Sequence, residues 1–187
     1  MIKNLITYEE ISLLARPCTT DQERAEAMIA EAQREDIRPR LGDALYIKLA
    51  FVEDSEGKED AQKTTELTGA YKTLVEGGLW TDRAGKPRLA QGLKTALAYY
   101  ALARIIRDGN VQATTYGAVV KDDQYSMDPE RSERQRQYRE LFAQADGYMN
   151  EVSAFLAENG DAIPEYKKET PCATRRGSRT SIRIIGK

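Results

Sequence analysis

The sequence predicts a mainly α protein: a compact bundle of about five to six helices with a long C-terminal helix, a small β-arm and an extended C-terminal tail. Apolar residues recur at 3-and-4 spacing through several segments, and helix start and stop residues bracket them. β-Branched residues concentrate at 111–121, and beyond Gly160 the composition turns to Pro, Thr, Ser and basic residues.

Thr7 and Glu10 form a capping-box pattern, with Ile6 and Ile11 placed as a hydrophobic staple, so a short helix is expected through Leu14, stopping before Pro17. Thr20 with Glu23 repeats the signal, and the helix it opens puts Ala25, Met28, Ile29 and Ala32 on one face. That helix is expected to end near Asp36, because Pro39 biases Arg38 away from helical dihedrals. After the break, Leu41, Leu45, Leu49 and Val52 define a third helix to about Val52. Residues 53–63 are charged and contain Gly, with nothing to bury, and read as a solvated loop. A fourth helix is expected from about Thr65, carrying Leu67, Tyr71, Leu74 and Val75 and ended by Gly77 and Gly78. Residues 79–87 read as a turn built around Asp82 and Gly85.

Residues 89–106 are the most apolar of the chain. Ala96, Ala98, Ala101 and Ala103 let neighbours approach from several sides, which predicts a central, mostly buried helix stopped by Asp108, Gly109 and Asn110. The β-branched stretch 111–121, with Gly117, predicts a strand or hairpin arm. Asp128 and Pro129 supply the N-cap and first position of the longest helix, out to about Glu158. At about 1.5 Å per residue it would be roughly 40 Å long. Its first turns, 130–137, are wholly polar and read as a solvated end beyond the core. The expected organisation is a helical domain at 1–160, with the arm at 111–121, followed by a basic tail at 161–187.

A chain of 187 residues can bury one substantial core. Lys and Arg number 28 against 30 Asp and Glu, for a net charge of −2, so any basic function must be local. From Asp161 onward seven Lys or Arg face three acids, a local +4 that leaves −6 on the rest. The only cysteines, Cys18 and Cys172, are too few for a disulfide scaffold or thiolate cluster and read as free thiols. No export signal and no membrane-length apolar run is seen, so the protein is expected in the cytoplasm when made.

Histidine is absent. That removes the commonest general base, the Ser-His and Cys-His nucleophile pairs and the usual zinc and haem ligands. The acids Asp43, Glu53, Asp54, Glu59 and Asp60 lack the ordered spacing of a calcium loop and read as solvated. Gly85-Lys86 is followed by Pro87 where a phosphate loop needs Ser or Thr. Asp122 and Asp123 are adjacent carboxylates that diverge into water and read as a turn. No catalytic, cofactor or metal residue is therefore assigned. Ten tyrosines against three phenylalanines point to interfaces, although Tyr99, Tyr100 and Tyr148 fit the edge of a core.

Four segments together resemble the head-tail connector proteins of tailed phages and prophages, also called head-completion or neck proteins. They are 31–46 (EAQREDIRPRLGDALY), 92–104 (GLKTALAYYALAR), 115–119 (TYGAV) and 179–187 (RTSIRIIGK). The similarity is a layout spanning most of the chain, with no single diagnostic motif. The resemblance implies a small helical bundle with a β-arm, no catalytic residues, and a homo-oligomeric ring of twelve copies beneath the portal protein. It implies as further partners a tail or second neck protein and DNA in the channel, and as location the virion neck. Arms and termini of such proteins extend onto neighbours; here the counterparts are 111–121 and 170–187. Tyr116, Val119, Lys121, Arg175, Arg176, Arg179, Ile182, Arg183 and Ile184 are accordingly the expected subunit or portal interface. This chain is longer than the compact members, through 53–63 and the tail.

The tail alternates apolar and polar residues at 181–185 and cannot build a core alone, so it either stays unfolded or adds an edge strand to another body. Its arginines would neutralise the acidic body of an adjacent copy, the reading preferred from the charge split. The alternative is a helical nucleic-acid-binding regulator, in which Arg175, Arg176, Arg179 and Arg183 meet phosphates and binding falls steeply with salt.

Overall fold

The computed structural model describes residues 2–18, 20–50, 69–108, 111–114, 117–120 and 131–166. They form a mainly helical body with two small hairpins. Helix α1 spans Tyr8–Leu14, and its expected capping box is present: Thr7 Oγ1 accepts from the Glu10 amide while the Glu10 carboxylate accepts from the Thr7 amide. Ile6 and Ile11, the two staple residues, are both buried.

Helix α2 spans Gln22–Ala32 and buries Ala25, Ile29 and Ala32. Its N-cap is Asp21, one residue past the expected Thr20, whose amide instead meets the Tyr8 hydroxyl at 3.4 Å. The stop expected near Asp36 does not occur. The chain widens into a π-helical turn, Gln33–Ile37, and continues as α3, Arg38–Leu41. Arg38 is helical (φ −53, ψ −47), and its amide bonds back to the Gln33 carbonyl. Pro39 falls in the first turn of α3, where a missing N–H costs no hydrogen bond. The break comes at Gly42 (φ 77), after which α4 runs Asp43–Ala50. The π-turn aims Gln33 inward: buried, it accepts from the Leu5 amide (2.9 Å) and donates to the Lys3 carbonyl (3.0 Å) and the Tyr46 hydroxyl (3.1 Å). The loop 53–63 and the expected helix residues Val52, Thr65 and Leu67 lie outside the described residues.

Helix α5, Ala70–Glu76, begins later than expected, because Gly69 (φ 61) is not helical. Gly77 ends it. Residues 79–87 are more than the turn expected of them: β1, Gly78–Thr81, and β2, Pro87–Ala90, form an antiparallel hairpin around Asp82 and Gly85, pairing Leu79 with Leu89 and Trp80 with Arg88. The central helix α6 therefore starts later than expected and spans Leu93–Asp108; it buries Leu93, Leu97, Tyr100, Leu102 and all its alanines.

Strands β3, Val111–Thr114, and β4, Gly117–Val120, form the second antiparallel hairpin, in the place of the expected arm. Helix α7 spans Arg131–Asn159, 29 residues and roughly 44 Å at 1.5 Å per residue. It runs antiparallel to α6: Tyr138 meets Arg107, Phe142 and Asp146 meet Tyr100, and Glu151 meets the Gln91 amide. Leu141 is its first buried residue, so its polar first turns lie outside the core.

The body does not stop at Gly160. Ile163 is fully buried and Tyr166 packs against the core, because the short helical turn Gly160–Ala162 folds the chain back onto α7. No described helix is long and apolar enough to cross a membrane.

Candidate functional site

Of the expected interface residues, Val119 is the one among the described residues. Val119 lies in β4 opposite Gln112. Tyr116, Lys121, Arg175, Arg176, Arg179, Ile182, Arg183 and Ile184 lie outside the described residues, as do Asp122, Asp123 and Cys172.

The polar clusters that are described hold helices together. Arg104 of α6 is nearly buried and reaches Glu31 (3.2 Å), Glu35 (3.5 Å) and Asp36 (2.6 Å) on α2 and the π-turn. Burial pushes the Asp36 carboxyl above its ordinary range, only partly offset by the Arg104 guanidinium. Asp146 of α7 accepts from the Tyr100 hydroxyl and from Arg40, whose guanidinium also stands 5.8 Å over the Tyr100 ring. Burial, then the hydrogen bond to Asp146, raises the Tyr100 hydroxyl well beyond its usual value. Glu165 accepts from Lys48 and Tyr71; the Lys48 ammonium and the Tyr71 hydroxyl lower it to about 2. Each of these shifted groups has its perturbers in the same contact between elements: Asp36 with Arg104, Tyr100 with Asp146, and Glu165, in the turn after Ala162, with Lys48 and Tyr71. Among the described residues, no group of three His, Cys, Asp or Glu side chains is placed to share a metal ion.

Open grooves mark the surface. One of about 420 Å³ is lined by Ile2, Arg38, Asp43, Tyr46, Ile47 and Ala50. Another, of about 350 Å³, lies between α1 and α2 and includes Tyr8, Glu9 and Glu26. In the first, the charged pair Arg38–Asp43 is closed on itself at 2.7 Å on the surface, leaving an apolar floor.

The β1–β2 hairpin is the candidate site. Its inner face is pinned: the Trp80 ring meets Phe155 edge-on at 5.5 Å, and Ala90 is buried. Its turn is closed by Asp82, which accepts from the Ala84 (3.0 Å) and Lys86 (2.8 Å) amides and from Arg88 (3.1 Å). Those bonds, led by the Lys86 amide, hold its carboxyl below the ordinary range. The Arg83 amide donates to Glu158 at 2.8 Å. At the base two glycines cross: a Cβ on Gly77 (φ 87) would stand 2.5 Å from the Ala90 carbonyl oxygen, and one on Gly92 (φ 85) 2.4 Å from the Gly77 nitrogen.

The outer face of this hairpin presents Leu79, 77% exposed, directly opposite Leu89, 59% exposed. Sequence reasoning misses this face, because the apolar run of the following helix absorbs Leu89. The signal that could have found it is the β-prone Leu79-Trp80-Thr81 and Arg88-Leu89-Ala90 on either side of an Asp-and-Gly turn.

Residues 37–176 match a family described as a family of unknown function, DUF6712. No curated protein and no solved structure matches the chain.

Proposed function

We propose that this chain, which belongs to the DUF6712 family of unknown function, is a non-enzymatic assembly protein of a tailed phage or prophage. It forms the connector ring between the DNA-filled head and the tail, in contact with the portal protein. The observation that carries the assembly part is the hairpin: a rigid element that spends a tryptophan, a buried aspartate and two crossing glycines to hold two large aliphatic side chains in water. The polar clusters support it from the other side, since their charges are consumed in helix packing. The connector part comes from the sequence resemblance, and the split between a basic tail (+4) and an acidic remainder (−6) suits copies that reach onto one another.

Native mass spectrometry and negative-stain microscopy, with and without a portal protein, test the reading. Rings are expected. A protein that stays monomeric and ignores the portal sinks it. Tight DNA binding that falls steeply with salt and is lost on Arg175→Ala, Arg176→Ala and Arg179→Ala would instead favour the nucleic-acid reading.

A further inference from the structure

We propose that the outer face of the β1–β2 hairpin receives segment 181–185 of a second copy of this chain, with Ile182 and Ile184 laid across Leu79 and Leu89. The inference rests on the assembly reading above and names both the receiving surface and its occupant.

On the receiving surface, Leu79 and Leu89 face one another across the strand pair, with Thr81 and Pro87 exposed on the same side. The hairpin is held from below by Trp80 on Phe155 and by the Arg83 amide on Glu158, so docking has little loop to order. Among the described residues the hairpin pairs with no further strand, and an extended segment can add one at such an edge.

The chain itself supplies the occupant. In Ser181-Ile182-Arg183-Ile184-Ile185 a strand period of two puts Ile182 and Ile184 on one face and Arg183 on the other. Added beside the hairpin, that face continues the Leu79–Leu89 row. The charges agree: the tail carries +4 against −6 on the remainder, and Glu151 and Glu158 border the hairpin at its base and its turn. The reach agrees too. The described body ends at Tyr166, which shares a groove with Arg83 at the hairpin turn. The residues from there to Ser181 can span roughly 50 Å at about 3.3 Å each, comparable to the length of α7 and sufficient to arrive at an adjacent subunit. A tail-to-hairpin contact joins two different patches, so repeating it from copy to copy generates a ring where the rotation closes.

The test is cysteine trapping in the full chain. Leu89→Cys with Ile184→Cys, in a Cys18→Ser, Cys172→Ser background, is oxidised mildly and run on a non-reducing gel. A ladder of dimers and higher species is expected. The control, Leu13→Cys with Ile184→Cys, uses a leucine on α1 that is more exposed than Leu89 and should stay monomeric. A bond formed within one chain, no bond, or an equal ladder in the control overturns the proposal. In a second measurement, Leu79→Asp/Leu89→Asp and Ile182→Asp/Ile184→Asp proteins should each lose self-assembly, while their mixture gives one-to-one heterodimers by native mass spectrometry, one intact contact per pair. Failure of the mixture to pair also overturns it. Rings of the unaltered protein without a specific ladder would refute this docking and leave the assembly reading standing; monomers with and without a portal protein would remove both.

Discussion

Two seams meet along α6, and they are built from opposite materials. Toward α7 the helix offers Leu97, Tyr100 and small alanines to a face that carries Leu141, Ala145 and Met149, a mainly apolar contact with an edge-on Tyr100–Phe142 pair at 4.9 Å. Toward α2 it offers Arg104, nearly buried among three carboxylates. The apolar seam tolerates any side chains of matching volume, whereas the charged one works only if both signs are present. The first therefore supplies stability, and the second sets which part of the helical chain before Gly42 lies against α6.

Truncation should separate the two. Leu97→Ala empties a fully buried position and should lose about 4 kcal/mol of unfolding free energy, read by urea denaturation. Arg104→Ala should lose about 3 kcal/mol, because it strands Asp36 while Glu35 keeps its water. The double variant Arg104→Met/Asp36→Leu should recover most of that loss. If the double variant is no better than the single, the charged seam acts through packing of the arginine stem alone.

Tyr100 brings a polar contact into the α7 seam, since its ring packs on Phe142 and its hydroxyl donates to Asp146, which Arg40 of α3 also meets. Tyr100→Phe should cost about 1.5 kcal/mol by thermal denaturation, a value set by a hydrogen bond to a charged acceptor. No change would mean that Asp146 is satisfied by Arg40 alone.

The smallest effect is one of pH. Glu165 is lowered from its ordinary 4.5 to about 2 by Lys48 and Tyr71. A carboxylate with a depressed value contributes stability that is present above about 4.5 and lost as pH falls toward about 2. The melting-temperature advantage of the unaltered protein over Glu165→Gln should accordingly be full at neutral pH and fade across that window. An advantage that persists below it would place the effect in packing.

Sequence periodicity identifies the elements whose signals are local. The Thr7–Glu10 box, the alanine-rich α6 and the amphipathic α7 are all legible, because capping bonds and 3-and-4 spacing involve residues within one or two turns. Pro39 misleads because its local bias against helix is offset by a π-turn, and that turn is secured by Gln33 reaching Leu5, Lys3 and Tyr46, residues far from it along the chain. Leu89 misleads because an apolar residue beside an apolar helix reads as part of it, when its partner is Leu79 across a turn.

By itself, then, the sequence determined the helical class of the body, the positions of its main helices, the charge split between the basic tail and the acidic remainder, and the absence of histidine chemistry. Only the tertiary structure decided that Arg104 is neutralised in the interior, that the chain past Gly160 still belongs to the core through Ile163, and that Leu79 and Leu89 are left in water. The reason is physical: helix propensity and periodicity are summed over neighbours in sequence, while burial depends on which distant surfaces happen to cover a residue.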